Sequence, residues 1–246
     1  MTLVIKTHII ALALLGGLAV SPVSANMVFT TVPGTADPWL AGMPAGSTAS
    51  AGDVAPAQSP TQVFGLGFTP GMALNFSATG SVNFVPSPSG DGPDGSFTLF
   101  HGTGAENGIS DIFVPVNSLL GVFLGPDQPS LTPAPDTLVF GTTASRDYLT
   151  LSPVLKQVFF IGDGLTGGGM TQQVIVPGGA TRLFLGTMDG SGWYDNSGSF
   201  SVRVVIPFAA RDRGLYRLSP PSTLATALQS RHIAAALLPG HRDDLH

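Results

Sequence analysis

One loop near the end of the chain concentrates side chains that could bind a cation. Asp189, Asp195 and Asn196 lie close together in the stretch LGTMDGSGWYDNSGSFSV (185–202), where Gly190, Gly192 and Gly198 free the backbone to present its carbonyl groups. Calcium takes about 6–8 oxygen ligands from carboxylates, amides and main-chain carbonyls, and a curled loop of this composition can supply about four or five of them.

The same loop has a simpler explanation. Asp and Asn are common in hairpin turns because their side chains accept hydrogen bonds from nearby backbone amides. The loop also lacks the Asp-x-Asp-x-Asp-Gly register of helix-loop-helix calcium sites. From the spacing alone, turn formation therefore explains these residues slightly better than a metal site does.

The sequence carries no recognisable catalytic motif. It has no Gly-x-Ser-x-Gly nucleophile turn and no histidine cluster with zinc spacing. The glycine-rich stretch IGDGLTGGGM (161–170) lacks the Lys-Ser/Thr of a phosphate loop and is typical of a hairpin turn. His101 is the one histidine between residues 26 and 210, and TLFHGTGAENG predicts that it lies in a turn or at the surface. We expect no enzymatic activity.

Charge and cysteine content narrow the class of protein further. Residues 26–210 contain twelve acidic and four basic side chains, so they offer no basic surface for phosphates and we expect no nucleic-acid partner. The chain has no cysteine, which rules out disulfides. Stability must then come from core burial and from any bound metal.

The first 25 residues predict export. Lys6 and His8 precede an apolar run that ends in the small-residue sequence Val23-Ser24-Ala25, which is the pattern of a secretory signal peptide. The apolar run is shorter than the roughly 20 residues that a membrane span needs. We therefore expect a secreted or extracellular bacterial protein without a membrane span.

The rest of the sequence predicts an all-β fold, a β-sandwich or barrel with short strands and long loops. Short apolar or alternating runs recur between Gly/Pro turns, and the run 199–206 places Phe200, Val202 and Val204 on one face. The predicted parts are a leader (1–25), an extended segment packed on the sandwich (26–64), the sandwich (65–208) with an insertion (125–156), and a flexible or weakly helical tail (209–246). A helical turn is predicted near 152–158.

Several motifs resemble one family of lectins. They are DGSGWYDNSGSFSV (189–202), SATGSVNFVP (77–86), GDGPDG (90–95), LLGVFLG (119–125) and IVPGGATRLFLGTMD (175–189). Over about residues 65–206, outside the insertion, the chain resembles the PA-IL-type calcium-dependent galactose-binding lectins. Their calcium strand has an Asp, a short loop and then Asn-Asn-Ser-Gly-Ser-Phe-Ser-Val.

This resemblance implies a fold and a site. The fold is a small jelly-roll-like sandwich. Calcium would be held by the side chains of Asp189, Asp195 and Asn196 and by the main-chain carbonyls of Phe84 and Gly192. In these lectins two sugar hydroxyls complete the calcium shell and nearby carboxylates accept hydrogen bonds from them. Asp189, Asp195 and Phe84 would thus also contact the carbohydrate.

The chain departs from the family pattern at four positions. Asp195 stands where the family has Asn, and Phe84 where it has Tyr. Gly92 and Gly95 are the nearest residues to the His and Gln with which the family contacts the sugar. Asp94 is the candidate for a substitute carbohydrate contact.

The N-terminal segment has a second resemblance. VPGTADPWLAGMPAGSTAS and the residues after it are similar to the start of secreted bacterial proteins that end in a PEP-CTERM sorting signal, but SPPSTLATAL (219–228) lacks Pro-Glu-Pro. Two functions remain open at this point. One is a secreted, calcium-dependent carbohydrate-binding protein, and the other is an extracellular or matrix protein in which calcium only stabilises a loop. The sequence does not specify an oligomeric state.

Overall fold

A computed structural model describes residues 26–49, 52–85 and 90–207. The predicted leader and the whole of the predicted tail lie outside these residues. The prediction of an all-β sandwich is confirmed, because 38% of the described residues are in strands and 8% in helices, and the strands form three sheets. No helix of the described part is long and apolar enough to cross a lipid bilayer.

Twelve strands form the three sheets. They are β1 (Asn26–Pro33), β2 (Thr61–Gln62), β3 (Ala73–Asn83), β4 (Thr98–Phe100), β5 (Ile112–Pro115), β6 (Leu119–Leu124), β7 (Leu138–Val139), β8 (Thr150–Leu151), β9 (Val158–Phe160), β10 (Gln173–Ile175), β11 (Arg182–Thr187) and β12 (Ser197–Ile206). The first sheet has the order β1-β12-β3-β10-β8, the second β2-β11-β6-β9 and the third β4-β5-β7. A short α-helix, α1, spans Thr143–Arg146.

The first and second sheets pack face to face around one hydrophobic core. Strand β12 contributes Phe200, Val202 and Val204 to it, as the alternating sequence predicts, while every second residue between them faces solvent. Phe123 and Leu183 contribute from the second sheet. These two sheets are the layers of the sandwich.

The second sheet is buried on both faces. All six residues of β6, LLGVFL, are buried, because a second apolar cluster covers the face that the first sheet leaves free. Trp39 and Trp193 belong to this second cluster. The continuous apolar run in the sequence is the consequence of burial on two sides.

The segment before the sandwich contributes directly to it. In the predicted extended segment 26–64, β1 pairs antiparallel with β12 over its whole length. Farther along, Trp39 is fully buried and its Nε1 donates to the carbonyl of Ser110 at 3.0 Å. The segment therefore supplies an edge strand and part of the second apolar cluster.

The insertion 125–156 contains a helix, but at a different position from the predicted helical turn. The helical turn expected near 152–158 is absent from these described residues, and α1 forms at Thr143–Arg146 instead. Thr142 and Ser145 bond reciprocally in a capping box that starts this helix. Strand β9 begins at Val158, where it joins the second sheet.

Candidate functional site

The loop 189–196 connects the two layers of the sandwich. It follows β11 of the second sheet and leads into β12 of the first sheet. Gly192 has a left-handed backbone (φ 79°) and starts a 3-10 turn, Trp193–Asp195, that leads into the strand. A glycine is suited to this position because other residues pay a steric cost at such a φ.

Strand pairing brings Phe84 to this loop. Ser197, the first residue of β12, lies opposite Asn83, the last residue of β3. Phe84 follows Asn83 directly and therefore emerges beside the loop. This juxtaposition depends on the antiparallel register, which the local sequence around either residue does not reveal.

A cavity of about 390 Å³ is centred on the loop. Four of the five predicted metal ligands line it, namely Asp189, Asp195, Phe84 and Gly192. The remaining lining residues are Val85, Leu99, Gly190, Ser191 and Tyr194. The fifth predicted ligand, Asn196, is buried next to Asp189, whose carboxyl it influences. The structure thus places four of the five predicted ligands at one cavity and the fifth beside Asp189.

Asp189 is the most buried carboxylate of this cavity, with 5% of its surface exposed. Its Oδ1 accepts hydrogen bonds from the amides of Gly190 (2.5 Å) and Ser191 (3.4 Å). Its Oδ2 is buried without a hydrogen-bond partner. Burial raises the pKa of Asp189, the nearby Asn196 amide and the loop amides partly offset this effect, and the charge of Asp195 raises it further.

Asn196 presents a second buried oxygen without a partner. Its Nδ2 donates to the carbonyl of Gly34 at 3.2 Å, which fixes the side-chain amide, while its Oδ1 makes no hydrogen bond. An amide oxygen and an ionised carboxylate oxygen are both acceptors, so neither can satisfy the other while Asp189 is charged. Buried acceptors left in this way are costly unless a donor or a cation meets them.

The donor set suits a hard cation. Asp195 is exposed and adds a second carboxylate, so the site offers two carboxylates, one amide oxygen and main-chain carbonyls, which are the ligand types of calcium. Among the described residues no three His, Cys, Asp or Glu side chains gather as a metal-binding group. A site that combines two carboxylates with amide and carbonyl oxygens does not require such a group.

Asp53 fixes the backbone of this loop by hydrogen bonds, a role that the sequence did not predict. It is fully buried, and its two carboxylate oxygens accept hydrogen bonds from the amides of Trp193 (3.0 Å) and Tyr194 (2.9 Å). Burial raises the pKa of Asp53, and these backbone amides counteract the rise. No pattern near Asp53 links it to residues 193–194, so the local sequence predicts only an acidic residue in a turn.

A buried aromatic cluster lies beneath the 3-10 turn. The His101 ring stacks on Trp39 with centroids 3.6 Å apart, and it meets Trp193 edge-on at 5.6 Å. Its Nδ1 lies 2.6 Å from the carbonyl of Gly104 and its Nε2 lies 3.6 Å from Glu106. The expectation of a surface or turn histidine is wrong in one respect, because His101 is only 2% exposed. Burial lowers its pKa.

The structure does not bring Asp94 to the Asp189 cavity. Asp94 is exposed and its Oδ1 accepts a hydrogen bond from the amide of Asp163 at 3.0 Å. It lines a different cavity together with Gly95 and Arg146. The backbone holds its loop there, since Ser96 donates to the carbonyl of Val116 at 3.0 Å.

Comparisons with known proteins add no relative. No protein-family model matches this chain, and no curated protein matches it either.

Proposed function

We propose that this chain is an exported, calcium-binding protein that recognises carbohydrate through the metal at the Asp189 cavity. The observation that carries this proposal is the pair of buried, unpartnered acceptor oxygens, Asp189 Oδ2 and Asn196 Oδ1. Two such oxygens in one site call for a cation. The resemblance of residues 189–202 to the calcium strand of PA-IL-type lectins supports the same metal.

The predicted ligands would contribute different kinds of oxygen to the calcium site. Asp189 and Asn196 supply buried oxygens, Asp195 supplies an exposed carboxylate at the cavity mouth, and Phe84 and Gly192 supply carbonyls. When bound, calcium would provide open coordination positions for two hydroxyl groups of a sugar. The carboxylates of Asp189 and Asp195 can then accept hydrogen bonds from those hydroxyls.

The shape of the site suits a small ligand with modest affinity. A cavity of about 390 Å³ has room for a monosaccharide or the end of a glycan chain. A shallow, partly solvated site of this kind is expected to bind one sugar with a dissociation constant of roughly 0.1–1 mM. Useful avidity would then require several copies on one particle or assembly.

A glycan array probed with and without a chelator tests this function. We expect retention of at least one neutral glycan in calcium and loss of that signal in EDTA. The same array with Asp189→Asn is expected to match the chelated sample. Retention that persists in EDTA contradicts the proposal.

A second function has support from one observation. Asp189 is almost fully buried, and Asp53 fixes the turn beside it, so a cation there could serve only to hold the loop in a protein that has no disulfides. This structural function predicts that calcium raises the melting temperature while no glycan is retained. The array and a thermal melt together separate the two functions.

A further inference from the structure

One wall of the Asp189 cavity is apolar. Phe84, Val85, Leu99 and Tyr194 line it, and they come from the end of β3, from β4 and from the loop before β12. Val85 is 43% exposed and Tyr194 58% exposed, so both can contact a ligand directly. A bound molecule would therefore meet the two carboxylates on one side and hydrocarbon on the other.

The cavity is also poor in side-chain donors. Among the described residues, no lysine, arginine, histidine, asparagine or glutamine lines it, and Ser191 and Tyr194 provide the hydroxyls. Ligand oxygens beyond the two hydroxyls that face Asp189 and Asp195 thus find few donors. An anionic ligand group would in addition lie close to two carboxylates, which disfavours it.

Resting on the proposed carbohydrate function, we propose that this site selects neutral deoxy sugars over their fully hydroxylated counterparts. Two adjacent ring hydroxyls face Asp189 and Asp195, and the methyl group of the deoxy sugar packs on Val85 and Leu99. A hydroxyl at that methyl position would lie against hydrocarbon and lose part of its hydration, which costs binding free energy. A methyl group there gains free energy from burial instead.

Sugars that differ at one carbon test this preference. In saturating calcium, calorimetric titration would compare 6-deoxy-D-galactose, D-galactose and D-galacturonate, and then L-rhamnose with L-mannose. In whichever series binds, we expect the deoxy sugar to bind roughly fourfold to tenfold more tightly than the hydroxylated sugar. D-galacturonate is expected to bind more weakly than D-galactose.

An isosteric variant tests whether the apolar wall causes the preference for the deoxy sugar. Val85→Thr keeps the side-chain shape but replaces a methyl with a hydroxyl. The ratio of the two affinities, deoxy sugar over hydroxylated sugar, should therefore fall at least about twofold. Val139→Thr is the matched control, because Val139 is exposed on β7 and does not line the cavity. It should leave the preference unchanged.

The possible outcomes separate this inference from the function on which it rests. Calcium-dependent binding in which the hydroxylated sugar equals or exceeds the deoxy sugar overturns the inference and leaves the carbohydrate function standing. A preference that Val85→Thr and Val139→Thr alter equally also overturns it. If calcium binds and none of these sugars does, both the inference and the carbohydrate function fail.

Discussion

The carboxylate of Asp53 accepts a hydrogen bond from the backbone amide of Trp193 at 3.0 Å, although the two residues are 140 positions apart. The adjacent amide of Tyr194 donates to the other oxygen of the same carboxylate. Asp53 thereby caps the 3-10 turn that carries Asp195 and leads to Asn196. The segment before the sandwich consequently determines the shape of the candidate calcium loop.

Asp53→Asn should loosen this loop. The amide keeps the size of the side chain but turns one acceptor into a donor that faces a backbone N–H. We expect the free energy of unfolding to fall by about 1–3 kcal/mol and the calcium affinity to fall with it. Urea unfolding and calorimetric calcium titration measure the two effects. Asp136→Asn, at an exposed acid outside the site, is the control, and equal behaviour of the two variants would refute the role of Asp53.

Gly198 should tolerate no side chain, because β3 passes too close. Its φ is 80°, and a Cβ there would lie 2.2 Å from the carbonyl oxygen of Ser81. Gly71 has the same φ but no atom within 4 Å of its Cβ position. Gly71→Ala should therefore cost about 1 kcal/mol of unfolding free energy, and Gly198→Ala at least about 2 kcal/mol more. Equal losses in urea unfolding would show that strand proximity is not the reason for Gly198.

Asp37 should make stability depend on pH. It is fully buried, its Oδ1 accepts from the amide of Trp39 at 2.8 Å, and its Oδ2 has no partner. Burial raises its pKa well above the ordinary 3.8, and the charges of Asp53, Glu106 and Asp189 raise it further. The folded chain then binds this proton more tightly than the unfolded chain does. The stabilisation it gives is complete below about pH 3.8 and is lost as the pH rises through the folded pKa.

Asp37→Asn removes that titration. The unfolding free energy of the variant relative to the native protein should therefore increase as the pH rises from about 4, by about 1.4 kcal/mol for each unit by which the folded pKa exceeds the unfolded one. Urea unfolding in chelator at a series of pH values measures this difference without a contribution from calcium. A difference that stays constant across the series would contradict the assignment.

Tyr194→Ala should separate sugar binding from calcium binding. The Tyr194 ring is exposed at the cavity, whereas its backbone amide is the group that Asp53 holds. Removing the ring should weaken sugar binding roughly fivefold to tenfold through lost contact area and leave calcium affinity unchanged. Phe29→Ala removes another exposed ring, from β1, and should change neither. Loss of calcium binding in Tyr194→Ala would mean that the ring shapes the metal loop.

Local sequence patterns were sufficient to predict the strands that have a periodic sequence of their own. The alternation in β12 located its buried face, and the contiguous loop 189–196 contains four of the five predicted ligands. Contacts between residues far apart in the sequence could not be predicted from such local patterns. The burial of His101 depends on Trp39 and Trp193, and the role of Asp53 depends on the path of a segment that carries little strand signal.

Two local predictions also placed features differently from the structure. The helical turn expected near 152–158 forms at α1, where Thr142 and Ser145 supply a capping box. Asp94 was linked to the site by the resemblance of residues 90–95 to a sugar-binding loop of the lectins, but backbone pairing of Ser96 with Val116 holds that loop at another cavity. A local capping box decided the first outcome, and hydrogen bonds to distant segments decided the second.

Calorimetric titration of calcium into the native protein and into Asp189→Asn tests the central claim most directly. We predict that the native chain binds one calcium ion and that Asp189→Asn binds it at least about tenfold more weakly, because a buried carboxylate ligand is lost. Asp94→Asn, outside the Asp189 cavity, should bind calcium as the native protein does. Absence of calcium binding by the native protein at millimolar calcium, or equal binding by Asp189→Asn, would contradict the calcium site.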